Sequence, residues 1–337
     1  MTERRVTIGD VAAEAGVSVA TVSKVINGRW GVAERTEERV RAVIEDLGYH
    51  SSLVAQSLRS RRTNVIGVLV VDLEPFSAEL LKGVARAIRG TGYELVVFSG
   101  CGADDQVGWE RRYLSRVSGT LCDGALLVTP SSVDVTFGAP VVAVDHNAGS
   151  STLPSVDSDN FSGAVTATEY LLGLGHRRIG FLAGRSDLES GRLRKQGYRH
   201  ALESAGVAVD HTLIRAGEFQ PESAEDAARQ LLASHGERPT AIFAANDVSA
   251  LATISVARSL GLRVPDDLSV IGFDNVPESA LSDPPLTTIE QPIQQMGFDA
   301  TRLLIGLIDG EPVESAHTML PTKLVVRGSC RELEERA

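Results

Sequence analysis

The chain has 337 residues, 43% of them hydrophobic, and a formal charge of -11, so it is too long for one small core and suits two or three domains. No apolar run reaches the roughly 18 residues a membrane helix needs, and "MTERRVTIGD" lacks the apolar stretch of a signal peptide, so the expected compartment is the cytoplasm. Cys101, Cys122 and Cys330 are odd in number, widely spaced and without a CxxC pair, which predicts reduced thiols and no zinc or redox site.

The charge is unevenly spread. Residues 1–62 hold ten Lys/Arg against eight Asp/Glu, whereas the remainder holds 23 against 36. Within the first part, "TIGDVAAEAG" sets Ile8, Val11 and Ala12 at helical spacing, with Thr7 as N-cap and Gly16 to end the helix. "SVATVSKVIN" restarts after Ser18 as a second N-cap, with Val22, Val25 and Ile26 inward. Two short helices joined by a glycine-containing turn predict a helix-turn-helix, whose second helix fits a major groove. A third helix is predicted in "ERTEERVRAVIEDLGY", with Val40, Val43, Ile44 and Leu47 at core spacing and Gly48 as the stop. Pattern alone leaves a helical protein–protein module as the alternative.

"VTIGDVAAEAGVSVATVSKVING", followed by "ERVRAVIEDLGY", resembles the DNA-binding headpiece of the lactose-repressor (LacI/GalR) family of bacterial transcription regulators, and the similarity runs from Val6 to Ser329. The resemblance implies that Val19, Ala20 and Lys24 read base edges, the first two by apolar contact with thymine methyls and Lys24 by donating to guanine. It also implies phosphate contacts from Thr7, Ser18, Thr21, Ser23 and Asn27. Lys24 stands where the family usually has Arg or His, and lysine, a point charge, cannot fork onto two acceptors. The family's Tyr-x-Pro-Asn reads "YHSS" here, and Ala33 replaces a capping Ser before the third helix.

"SSLVAQSLRSRRT" is the expected linker. The resemblance makes it a hinge helix formed on operator DNA, with Leu58, flanked by Ala55 and Gln56, wedged into the minor groove. The expected organisation is a headpiece at 1–50, a hinge at 51–62, a core at 63–330 and a tail at 331–337.

From residue 63 apolar strand runs alternate with helices: "VIGVLVVD", "ELVVFSG", "GALLVTP", "PVVAVD", "RIGFLAG", "AIFAAND" and "LSVIGFD". This pattern predicts α/β architecture with doubly wound parallel sheets, too many strands for one sheet, and a ligand cleft between two lobes. The resemblance implies a periplasmic-binding-protein-like core crossed three times by the chain, with an N-lobe at 63–160 and 292–320 and a C-lobe at 161–291 and 321–330.

Ligands in wound sheets bind beyond the C-terminal strand ends. Those ends carry Asp72 to Phe76, Thr129, Asp145, Arg185 to Arg194, Phe219, Asn246 with Asp247, Asp274 and Gln291. Carboxylates and amides that accept from hydroxyls, an arginine and an aromatic face suit a polyol. Phe76, Arg194, Phe219, Asn246, Asp274 and Gln291 are the expected effector contacts, although strand-end Asp247 and Asp274 could simply cap the segments that follow.

An enzyme is not expected. "GLGHRRIG" lies after a helix and before a strand, the reverse of a pyrophosphate loop, and there is no P-loop, GxSxG or HExxH. His176 reads as a turn residue. The expectation is a cofactor-free homodimeric repressor on a palindromic operator, released by a sugar or short oligosaccharide. A purine-type corepressor occurs in the same family, and a sugar-binding protein that does not touch DNA is the rival class. "CRELEERA" lacks leucine heptads, so no tetramerising coiled coil is expected.

Overall fold

The computed structural model describes residues 6–26, 30–48, 62–100, 109–117, 121–130, 138–146, 153–233, 238–312 and 317–333. They belong to two compact units, Met1–Thr63 and Asn64–Ala337.

In the first unit, α1 (Ile8–Ala15), α2 (Val19–Ile26) and α3 (Glu34–Asp46) close a small core. Thr7 starts α1 with a capping box: its Oγ1 accepts from Asp10 N at 3.4 Å while Asp10 Oδ2 accepts from Thr7 N at 2.8 Å. Gly16 ends the helix at φ 62, a left-handed conformation that needs no Cβ. Ser18 Oγ accepts from Thr21 N at 3.1 Å, capping α2. Ala33 has no side-chain oxygen and α3 begins without a side-chain cap, which costs about 1 kcal/mol relative to Ser. Val11, Val22 and Val40, one from each helix, are fully buried against one another.

In the second unit the seven apolar runs form β1 (Val65–Val70), β2 (Glu94–Ser99), β3 (Gly124–Val128), β4 (Val141–Val144), β6 (Ile179–Ala183), β8 (Ala241–Ala244) and β9 (Ser269–Asp274). Five further strands of three or four residues join them: β5 (Ser155–Ser158), β7 (Ile214–Ala216), β10 (Thr287–Glu290), β11 (His317–Leu320) and β12 (Lys323–Val325). One sheet has the order β11-β5-β4-β3-β1-β2, the other β12-β10-β9-β8-β6-β7. Every pairing is parallel except β10 with β12. The chain therefore leaves the first sheet after β5, returns for β11, and ends with β12 on the second.

Helices cover both faces of each sheet, which is why the central strands read as continuous apolar runs. On the first sheet, α4 (Pro75–Ala87) and α11 (Ile293–Asp309) lie on one face and α5 (Trp109–Val117) on the other. On the second, α6 (Asn160–Gly173) and α7 (Glu189–Ser204) oppose α8 (Pro221–Leu232) and α9 (Asp247–Ser259). The short helix α10 (Pro277–Leu281) follows β9.

The pairing of α4 with α11 depends on two glycines. A Cβ on Gly83 would lie 1.9 Å from the Gln294 carbonyl oxygen, and one on Gly297 would lie 2.3 Å from that of Leu80. Backbone meets backbone at this crossing, and it fixes how β1 hands the chain to α4.

One structural finding adds to the sequence reading and one departs from it. His176 lies in the turn before β6, as expected, and is also buried there: its Nδ1 is 2.9 Å from Thr240 Oγ1 and its Nε2 3.0 Å from Ser269 Oγ. Arg331 and Leu333, expected in a tail, are tied down, since Arg331 N donates to Ser269 Oγ at 3.1 Å and Leu333 N to the Leu174 carbonyl at 2.8 Å.

Gly297→Ala should destabilise the chain by about 1–3 kcal/mol in urea denaturation, the usual cost of overpacking. Gly306→Ala on the same helix meets only the flexible Glu311 carboxylate, at 3.0 Å. It should be neutral or stabilise by about 0.5–1 kcal/mol through helix propensity.

Candidate functional site

Strand ends from both sheets converge on one open cavity. Glu74 and Phe76 reach it from the start of α4, Thr129 from the end of β3 and Asp145 from the end of β4. From the second sheet come Leu188, Ser190 and Arg194 of α7 and its lead-in, Phe219 after β7, Asn246 after β8, and Asp274 at the end of β9.

Five of the six expected effector residues therefore line one cavity. Gln291 does not. It stands behind Asp274, donating Nε2 to Asp274 Oδ1 at 2.6 Å and accepting on Oε1 from Ser158 Oγ. Its amide is used in orienting the carboxylate. Asp247 also stays out of the cavity: it accepts from Val276 N at 2.9 Å and Thr288 Oγ1 at 2.5 Å, and so braces the turn after β9.

Arg194 is 3% exposed and heavily engaged. Its Nε donates to Asn160 Oδ1 at 2.8 Å, and Nη1 donates to the Ala245 carbonyl at 2.5 Å and to Asp274 Oδ1 at 3.3 Å. Its guanidinium carbon lies 3.9 Å from the Phe273 ring centroid and 5.5 Å from that of Phe219. Asn160 completes the relay by donating Nδ2 to Asp145 Oδ1 at 2.9 Å. Asn246 bridges two loops, its Oδ1 capping α9 through Ser249 N at 3.0 Å and its Nδ2 donating to the Phe219 carbonyl at 3.2 Å.

The cavity wall departs from relaxed backbone geometry. Thr129 (φ 46), Asp145 (φ 50), Phe219 (φ 62) and Asp274 (φ 118) all have positive φ. Non-glycine residues held there cost on the order of 1–3 kcal/mol each and cluster at ligand clamps. The Phe219 ring is seated by Gly184, where any Cβ would come within 2.0 Å of Phe219 Cζ.

Burial and mutual repulsion push the carboxyls in this wall above their ordinary values. Burial raises Glu74 to about 7, helped by the charges of Asp274 and Asp72. Burial also raises Asp274 to about 6 against the pull of Arg194 and the Gln291 amide. Asp145 is raised by burial as well. The wall thus offers carboxyl and amide oxygens to hydroxyl donors, with Phe76 and Phe219 supplying apolar surface.

In the first unit, α2 turns Val19 (46% exposed), Ala20 and Lys24 outward while Val22 and Val25 face the core. Thr21 and Ser23 are half-buried, and Thr7 and Ser18 exposed. Thr7 Oγ1 donates to Asp10 Oδ2 at 2.7 Å, and Ser18 Oγ is 2.9 Å from Thr21 Oγ1, so these hydroxyls already serve caps. Asn27 and the hinge residues Ala55, Gln56 and Leu58 lie outside the described residues.

Two residues of the cavity wall and its support were not singled out from sequence. Glu74 was legible only as part of a strand-end stretch, and Asn160 acts through Arg194 and carried no signal of its own.

A family model described as bacterial regulatory proteins, lacI family, matches residues 7–52, and a periplasmic binding protein-like domain model matches 168–330. The HTH-type transcriptional repressor PurR of Photobacterium profundum is 38% identical over 336 residues, covering 97% of this chain and 99% of that protein. The chain belongs to the lacI family of bacterial regulatory proteins. Among solved structures, the transcriptional regulator CelR–cellobiose complex matches this lacI-family chain at TM-score 0.72 and 36% identity, covering 96% of this chain and 100% of that one. The lac repressor dimer bound to operator and the anti-inducer ONPF matches at TM-score 0.83 and 28% identity, covering 97% and 100%. The lacI-family assignment makes the first unit a DNA-binding headpiece and the chain a transcriptional regulator.

A carboxyl whose folded value is raised favours the protonated folded state, so stability falls as pH rises from its ordinary value through the raised one. For Glu74 that window runs from 4.5 to about 7. Denaturation curves collected across it should show Glu74→Gln gaining stability over the parent as pH rises, with the difference levelling above about 7. A difference constant with pH would refute the protonation assignment.

Proposed function

We propose that this regulator is a cytoplasmic, homodimeric repressor of sugar-utilisation genes that a free sugar or short oligosaccharide releases from a palindromic operator. The observation that carries the effector class is the cavity itself: acceptor oxygens from two sheets beside two aromatic faces suit a hydroxyl-rich ligand. The similarity to a CelR–cellobiose complex supports the same class. Phe76, Arg194, Phe219, Asn246 and Asp274 contact the effector, and Gln291 positions Asp274. Binding is the whole task in this reading; no reaction and no cofactor are assigned.

On DNA, Val19, Ala20 and Lys24 read base edges, and Thr7, Ser18, Thr21, Ser23 and Asn27 hold phosphates. Ala55, Gln56 and Leu58 form the minor-groove hinge. Dimer formation is supported by β2, an edge strand of the first sheet with Val96 and Val97 exposed, and by the similarity to a lac repressor dimer. Two headpieces then meet half-sites about one helical turn apart.

The lobes, 63–160 with 292–320 and 161–291 with 321–330, close around the effector and change the spacing of the paired hinges. A ligand moves that equilibrium only by its differential affinity for the two states, so the bound sugar should weaken operator binding about 5–150-fold.

The test is fluorescence anisotropy on duplexes from upstream of the regulated genes, with and without a sugar panel. The parent should bind a palindrome and release it with one sugar; Arg194→Ala should bind DNA normally and ignore that sugar. Lys24→Ala should lose discrimination at one base pair per half-site, not affinity for all sequences alike. Absence of any duplex binding at low salt would overturn the reading. Tightening by a purine in place of release by a sugar would replace the effector class and reverse its sign.

A further inference from the structure

Glu74 is the one cavity-lining acid that no established feature of the site uses. It occupies the N-cap position of α4, yet its side chain makes no cap bond. Among the described residues it has no hydrogen-bond or ion-pair partner, whereas Asp145 is held by Asn160, and Asp274 by Gln291 and Arg194. Its carboxylate faces a cavity with Asp145 and Asp274 also in the wall and Asp72 nearby.

The cations near it are already answered. Arg194 is 3.3 Å from Asp274, Arg185 pairs with Asp187 at 2.6 Å, and Arg192 with Glu189. Among the described residues the cavity wall therefore sets one guanidinium, already paired with Asp274, against the carboxyls of Glu74, Asp145 and Asp274, a balance that disfavours an anion and suits a neutral donor. A metal does not account for the cluster either, because no three His, Cys, Asp or Glu side chains among the described residues are placed to hold one.

We infer that Glu74 is a specificity-determining residue that restricts the pocket to uncharged, hydroxyl-donating ligands and excludes their phosphorylated forms. The inference rests on the reading of this cavity as a sugar site. A neutral sugar hydroxyl donates to the Glu74 carboxylate, which otherwise loses its water without replacement when the cleft is filled. A phosphate dianion brings acceptors only, so above about pH 7, where Glu74 is ionised, it meets Glu74 with no hydrogen to share and with charge of the same sign.

The experiment is calorimetric titration of the full chain at about pH 8, above the Glu74 value of about 7, with matched probes: ribose and ribose 5-phosphate, glucose and glucose 6-phosphate, cellobiose and its 6′-phosphate. For whichever free sugar binds, the phosphorylated partner should bind at least about 30-fold more weakly. In Glu74→Gln the ratio should fall by about tenfold, through weaker binding of the free sugar and stronger binding of the phosphate. Glu74→Ala supplies the same readout should the glutamine variant fold poorly. A parent chain that binds a phosphorylated sugar as tightly as the free one overturns the inference while leaving the sugar reading intact, and so does an unchanged ratio in both variants. Binding by neither form of any pair, in a chain that still binds its operator, overturns the sugar reading and this inference with it.

Discussion

A buried guanidinium sets the terms for the larger unit. Arg194, on the first helix after β6, reaches past its own sheet to Asn160, and Asn160 reaches Asp145 at the end of a strand in the other sheet. From its other side Arg194 meets Asp274, which Gln291 holds, and Gln291 in turn is held by Ser158. Ser158, Asn160 and Gln291 lie where the chain passes from one sheet to the other. One continuous hydrogen-bonded relay thus ties the cavity wall to two of the chain crossings. A buried ion pair adds little net stability over an apolar substitute, but removing one partner costs about 3–5 kcal/mol. What the relay supplies is coupling: groups that line the cavity are hydrogen-bonded to groups at the chain crossings.

The same arrangement explains the cost accepted in the wall. Strand ends that continued in relaxed geometry would carry their side chains back over the sheet. Positive φ at Thr129, Asp145, Phe219 and Asp274 turns the chain sharply beyond the last paired residue and aims those side chains into the cleft. Gly184 then leaves room for the Phe219 ring, and Asp247 holds the turn after Asp274 from below. Strain and burial are tolerable because neighbouring hydrogen bonds over-determine each position.

The long parallel strands were legible because double helix cover makes them unbroken apolar runs. The short strands were not: "SVDS", "IRA" and "TTIE" carry too few residues and too many polar ones for any period to show. Their place comes from tertiary pairing, with β5 and β11 joined across 162 residues by Ser155 and His317. In the cavity, Arg194, Asn246 and Asp274 could be named because strand-end polar residues point one way in a wound sheet. Gln291 satisfied the same rule yet faces backward onto Asp274, since its partner sits one strand over and the sequence does not print neighbours. Asn160 and Glu74 lay hidden for opposite reasons: one acts through hydrogen bonds to Arg194 and Asp145, and the other has no hydrogen-bond or ion-pair partner among the described residues. In the headpiece, helix caps and the three core valines followed directly from spacing, because contacts there are local.

An acidic chain that binds a polyanion is no contradiction once charge is assigned to its parts. The first 62 residues carry ten basic side chains against eight acidic, and the remaining 275 carry the entire deficit. Screening limits each charge to about 10 Å at 0.1 M salt, so each group acts on its own surroundings and the charge of each part counts for more than the sum. Part of that acidity is spent inside the cleft, where carboxyl groups are lifted toward neutrality and serve as acceptors. Net charge is therefore a poor guide to this protein's partners. What each unit presents matters more: Lys24 is exposed on α2, whereas Arg194 is buried and paired with Asp274.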